Sequence, residues 1–238
     1  MVNWPWQRTK RIEAPKLRAR SAELAARKVD LAELTPGLLH FLGQAAYLQL
    51  ALFENLSRAV SNAPTAEAKD TLSHVAALSL TKHHGLTDLI RRHGSQPGPV
   101  MEPFTDGIDD FQRRTLGSDW SEALMSCYLT AGFLDDFFSA LGEGLPKDYA
   151  ERVSAVLDTD DGAEDLAALL RTQIEANPRL ASRLAMWGRR LIGDTMLVAR
   201  SALATSANHA KDEERIEPVF TELIAAHTRR MDGLGLTA

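Results

Sequence analysis

The chain has 238 residues, 45% of them hydrophobic and 25% charged, the proportions of a soluble globular protein. Its one cysteine, Cys127, rules out a disulfide framework and an all-cysteine metal site, and it suits a reducing cytoplasm. Charge is unevenly placed: Met1 to Lys28 holds eight basic residues against Glu13 and Glu23, a balance of +6, so the rest of the chain carries −11 to reach the net −5.

That first stretch contains no apolar run of signal-peptide length, so secretion is not expected and a cytoplasmic location is. Its basic residues, with Trp4 and Trp6, form an arm suited to an anionic partner, either phosphate backbones or an anionic membrane surface. Ser21 to Leu34 reads as a short helix ended by Pro36 and Gly37. Leu38 to Val60 follows, apolar around most of its circumference, as in a helix packed on several sides. Gln44, Gln49, Glu54, Asn55 and Arg58 make it too polar to span a bilayer.

Thr65 is the expected N-cap of a helix over Ala66–His93, which places Leu72, Val75, Ser79, His83, Leu86 and Ile90 on one stripe. Gly94 to Gly107, with Pro97, Pro99 and Pro103, reads as the clearest loop of the chain. A short helical segment over Ile108–Thr115 is followed by a strong helix over Asp119–Leu141 with Ser118 as its cap. There Trp120, Leu124, Cys127, Ala131, Leu134, Phe138 and Leu141 keep a 4-3 spacing, which places Cys127 in the core. Pro146 opens a helix to Leu157, the acidic Asp158–Gly162 stretch weakens it, and Ala163–Ala176 resumes the pattern. Asn177-Pro178 caps a helix to about Ala204, and a last helix covers Val219–Met231. No strand pattern and no internal repeat is present.

Long helices joined by loops predict an all-α four-helix bundle with extra flanking helices. The chain divides into a basic arm with its short helix (1–34), the bundle (35–232) and a tail (233–238). The blocks LGQAAYLQLALFENLSRAV, Pro103-Phe104 with Ser118 to Trp120, and NPRLASRLAMWGRRLIGD resemble the ferritin-like, MiaE-like tRNA hydroxylases of actinobacteria over about Leu38–Leu203. The resemblance implies a ferritin-like bundle around a di-iron site, hydroxylating an isopentenyl-modified adenosine in tRNA.

Such a site takes one carboxylate from each of two helices and an acid-x-x-His pair from each of the other two. By that resemblance Glu54 matches the first carboxylate and His83 the histidine of the second helix. The other positions do not match: Leu80 stands where the acid before His83 belongs, and Ala131 where the third-helix acid belongs, with Asp135 one turn on. The fourth-helix pair falls near Thr159 and Gly162. No histidine of the chain has an acid three residues before it, which argues against an ordinary di-iron centre. Two readings stay open, a Glu54–His83 ion pair across two helices and a single-metal site of Glu54, His83 and Asp135. Arg189 and Arg190 are either solvated charges or phosphate contacts.

Two function classes follow. One is a non-catalytic or repurposed ferritin-like binding protein, with no cofactor, that meets tRNA or another anionic partner through the basic arm. The other is an iron-dependent tRNA hydroxylase with an unusual ligand set. A homodimer is one assembly open to either.

Overall fold

The computed structural model describes residues 34–204 and 209–237. The basic arm and the helix expected over Ser21–Leu34 lie outside the described residues, Leu34 excepted. Among the described residues every regular element is helical. The order is α1 (Leu38–Ser61), α2 (Ala66–Arg92), α3 (Pro97–Met101), a 3-10 turn (Glu102–Phe104), α4 (Thr105–Thr115), α5 (Trp120–Gly142), α6 (Lys147–Leu157), α7 (Ala163–Ala176), α8 (Pro178–Ser201) and α9 (His209–Gly233).

Local chemistry sets the boundaries. The Thr65 hydroxyl accepts from the Ala68 amide at 3.1 Å and starts α2. The cap of α5 is Asp119, not Ser118: Asp119 accepts from the Glu122 amide at 3.0 Å. The Glu122 carboxylate in turn accepts from the Ser118 amide at 2.8 Å, a reciprocal cap. The expected loop over Gly94–Gly107 is mostly helical, because Pro97 and Pro103 stand in first turns where proline's missing N–H costs nothing. The Asp158–Gly162 turn is closed by Asp160 and Asp161, which accept from the Gly162 and Ala163 amides at 2.9 Å each. Gly162 takes φ +68°, and the Val75 side chain lies where a Cβ would stand.

Helix α1 pairs along its length with α2 and also meets α5, which packs on α8. The segment α3–α4 bridges α1 and α8, α6 and α7 cover α2 and α5, and α9 lies on α5 and α8. Two apolar clusters fill the interior. One gathers Phe41, Phe133, Phe137, Phe138 and Phe220; the other gathers Leu56, Leu72, Leu124, Leu129 and Leu184. Along α1, α2 and α5 the two clusters use opposite halves of each helix, and buried polar residues stand near the junction: Gln49, Ser79, Lys82 and Thr130. Beyond α9, Leu234 and Leu236 are buried in the second cluster.

Candidate functional site

At that polar level the Lys82 ammonium of α2 donates to the Asp135 carboxylate of α5 at 2.8 Å, with the lysine side chain only 3% exposed and the aspartate 14%. The other Asp135 oxygen accepts from the Gln49 amide of α1, also at 2.8 Å. Three helices are thereby tied at one point. Burial pushes the Asp135 carboxyl above its ordinary value, and the Lys82 ammonium and Gln49 amide pull it back. Beside it lies a cavity of about 30 Å³ lined by Gln49, Gln112, Thr130 and Asp135 among others. Gln49 Oε1 and Gln112 Nε2, both buried, have no hydrogen-bond partner among the described residues. The volume accommodates a water or two.

The three residues expected to hold metal are not brought together. Glu54 is half exposed and lies 3.5 Å from Arg58 one turn on. It borders a surface groove with Tyr47, Asp109 and Arg113, where the Tyr47 hydroxyl donates to Asp109 at 2.7 Å. Burial and that carboxylate push the Tyr47 phenol up to about 12. His83 is buried, and its Nδ1–H donates to the Ala46 carbonyl at 2.9 Å. Burial holds its imidazole below the ordinary histidine value. The Glu54–His83 ion pair is therefore corrected: the two side chains have different partners. Asp135 alone of the three stands at the centre.

Thr159 and Gly162 also fall elsewhere. They sit in the turn between α6 and α7, while the fourth long bundle helix is α8. The buried face of α8 is Leu180, Leu184, Ala185, Gly188, Leu191, Thr195, Val198 and Ala199, with no acid or histidine. Its one carboxylate, Asp194, faces Arg114 at 3.6 Å. Cys127 is 3% exposed, in the core as its spacing predicts, and burial pushes its thiol up to about 12.

Lys82 and Gln49 are the participants that the sequence reading missed. Lys82 did leave a signal, since it falls at the 3-4 spacing between Ser79 and Leu86 and so interrupts the apolar stripe of α2. The polar level also reaches α9. His227 is 5% exposed, and Arg230 meets Asp136 at 2.8 Å through the space that Gly132 leaves.

A buried ammonium within an α-helical bundle, tied to a largely buried carboxylate, defines a class before it defines a chemistry. Residues 33–211 match the model of the ferritin-like domain of actinomycetes, about three quarters of the chain, and the protein belongs to that family. No curated protein matches the chain. Ferritin-like bundles commonly hold paired iron on inward carboxylates and histidines. The residues present here do not fit that group. Both Asp135 oxygens are engaged, a cation already sits at hydrogen-bond distance, and an ammonium has no lone pair for a metal. Among the described residues no three of His, Cys, Asp and Glu come close enough to hold a metal ion.

Proposed function

We propose that the protein is a non-catalytic member of the ferritin-like family, in which an internal lysine–aspartate pair takes the place of metal and the protein acts by binding. The observation that carries this reading is the Lys82 ammonium, nearly inaccessible and 2.8 Å from Asp135. A positive charge there repels a divalent cation and already neutralises the carboxylate that would ligate it. The pair also joins α2 to α5 without metal, so the bundle keeps its cross-helix tie.

The alternative, an iron-dependent hydroxylase resembling the MiaE-like tRNA enzymes, would need Glu54, His83 and Asp135 to converge. That requires α1 to turn Glu54 inward and His83 to release the Ala46 carbonyl. Elemental analysis of protein purified without a histidine tag, then loaded anaerobically with ferrous iron, separates the two. Retained iron well below one equivalent per chain is the expected result. Two equivalents with an oxo-bridged absorption band would overturn the binding-protein reading.

An anionic partner for the basic arm, tRNA among the candidates, rests on charge alone. A gel shift comparing the intact protein with a chain that starts at Val29 tests it, and equal retention by both would remove the arm from recognition. Binding through the arm should fall steeply with salt, because neutralised phosphates release counterions.

A further inference from the structure

Helix α8 concentrates positive charge within the described residues. It carries five arginines, Arg179, Arg183, Arg189, Arg190 and Arg200, against Asp194 alone, a balance of +4 in a chain of net −5. The remaining residues therefore sum to −9. At 100° per residue, all five arginines fall within about 60° of the direction of Met186, so they share the outer face of one helix about 36 Å long. Each of those positions is exposed. The one acid of the helix, Asp194, faces Arg114 of α4. Arg183 is paired with Asp119 and Glu122 at the start of α5, and Arg189 donates to the Thr237 carbonyl at 2.8 Å, so Arg179 and Arg190 stand as the charges that the test below removes.

The same face holds the two most exposed large apolar side chains of the described residues, Met186 at 63% and Leu197 at 60%. They point within about 20° of each other and lie about 16 Å apart along the axis. Between them Gly193 is exposed, and among the described residues no atom comes within 4 Å of the place a Cβ would take. The Arg190 guanidinium lies over the Trp187 ring, 5.1 Å from its centroid, which restrains that charge beside Met186.

We infer that the outer face of α8 is a docking surface for an anionic phospholipid bilayer. A bilayer offers phosphate to the arginines and hydrocarbon to Met186 and Leu197, and it is flat enough to meet a straight helix lengthwise. A nucleic-acid backbone supplies only the first of these. Outside α8 and the basic arm the chain sums to −15, and the same lipid repels that charge, so the body is oriented with α8 toward the membrane. This is peripheral attachment, because no helix among the described residues is long and apolar enough to cross a bilayer.

The inference names the partner of the binding role proposed above and rests on it, but iron content and membrane partition are separate measurements. Metal-free protein that ignores vesicles would refute this face alone. Iron-replete protein that still partitions would refute that role alone.

The test is co-sedimentation of the full chain with phosphatidylcholine vesicles, with and without phosphatidylglycerol. The parent is expected to pellet only with the anionic vesicles. Arg179→Gln with Arg190→Gln should lower partition about thirtyfold, at roughly fivefold for each arginine near the surface. Leu197→Asp alone should lower it several-fold. All three sites are exposed, so melting temperatures should stay those of the parent. Equal pelleting with neutral vesicles, no pelleting with either, or undiminished binding by the variants would overturn the inference. So would arginine-dependent binding to single-stranded RNA that Leu197→Asp leaves intact, because the face would then read nucleic acid.

Discussion

Replacing Lys82 with methionine tests the central pair most sharply. Methionine fills much of the same volume but leaves Asp135 buried with only the Gln49 amide as partner. A lone buried carboxylate avoids ionisation by taking a proton. Its folded pKa then lies far above the unfolded value of about 3.9, so the variant retains its stability below that value and loses it as pH rises. Carrying that proton costs about 1.36 kcal/mol for each pH unit above 3.9, so about 4 kcal/mol at pH 7 and about 1.5 kcal/mol at pH 5. The first figure falls in the range of about 3–5 kcal/mol seen when one partner of a buried pair is removed. For a chain of this size it corresponds to a loss of roughly 8–16 °C in melting temperature. Adding Asp135→Leu removes the stranded carboxyl and should restore most of the loss. The assay is urea denaturation followed by circular dichroism, with each variant compared with the parent at pH 7 and at pH 5. A Lys82→Met variant as stable as the parent, or one whose deficit is the same at both pH values, would refute this account.

Glu54→Ala should change stability by no more than about 0.5 kcal/mol, since the side chain is half exposed and its pairing with Arg58 is a surface contact; a loss of several kcal/mol in the same denaturation assay would place Glu54 in the interior instead. His83 and His227 are both held below the ordinary value by burial, so the unfolded chain takes up their protons first. Their contribution to stability is complete above about pH 6.5 and should be lost as pH falls below it, while Asp135, with a raised value, works in the opposite direction at lower pH. Thermal melts between pH 7.5 and 5.5 should therefore show a falling midpoint, and a rise over that window would contradict the buried neutral histidines. Gly43→Ala places a methyl against the Val100 carbonyl and within 2.9 Å of the Phe104 ring, which should cost about 1–3 kcal/mol by forcing α1 and α3 apart; a melting temperature equal to the parent's would show that this contact yields freely.

The sequence by itself determined the long helices α2, α5 and α8, though not the helical turns over Gly94–Gly107 or the start of α9 at His209. The 4-3 spacing in Ala66–His93 and Asp119–Leu141, the cap at Thr65 and the Asn177-Pro178 start match α2, α5 and α8 within a few residues. These signals are local, because backbone pairing and side-chain periodicity within one helix need no knowledge of its neighbours. The lack of any acid-x-x-His pair was legible for the same reason. What only the tertiary structure decided was the direction of each polar side chain. Helix α1 is apolar around most of its surface, so its sequence does not say whether Gln49 or Glu54, about 140° apart, looks inward. The packing of α2 and α5 chose Gln49 and left Glu54 to solvent. On α2 it turned Lys82 to Asp135 and its neighbour His83 to the Ala46 carbonyl. A charge as costly to bury as Lys82 is read as a surface residue until its partner is known, and that partner lies 53 residues away on another helix.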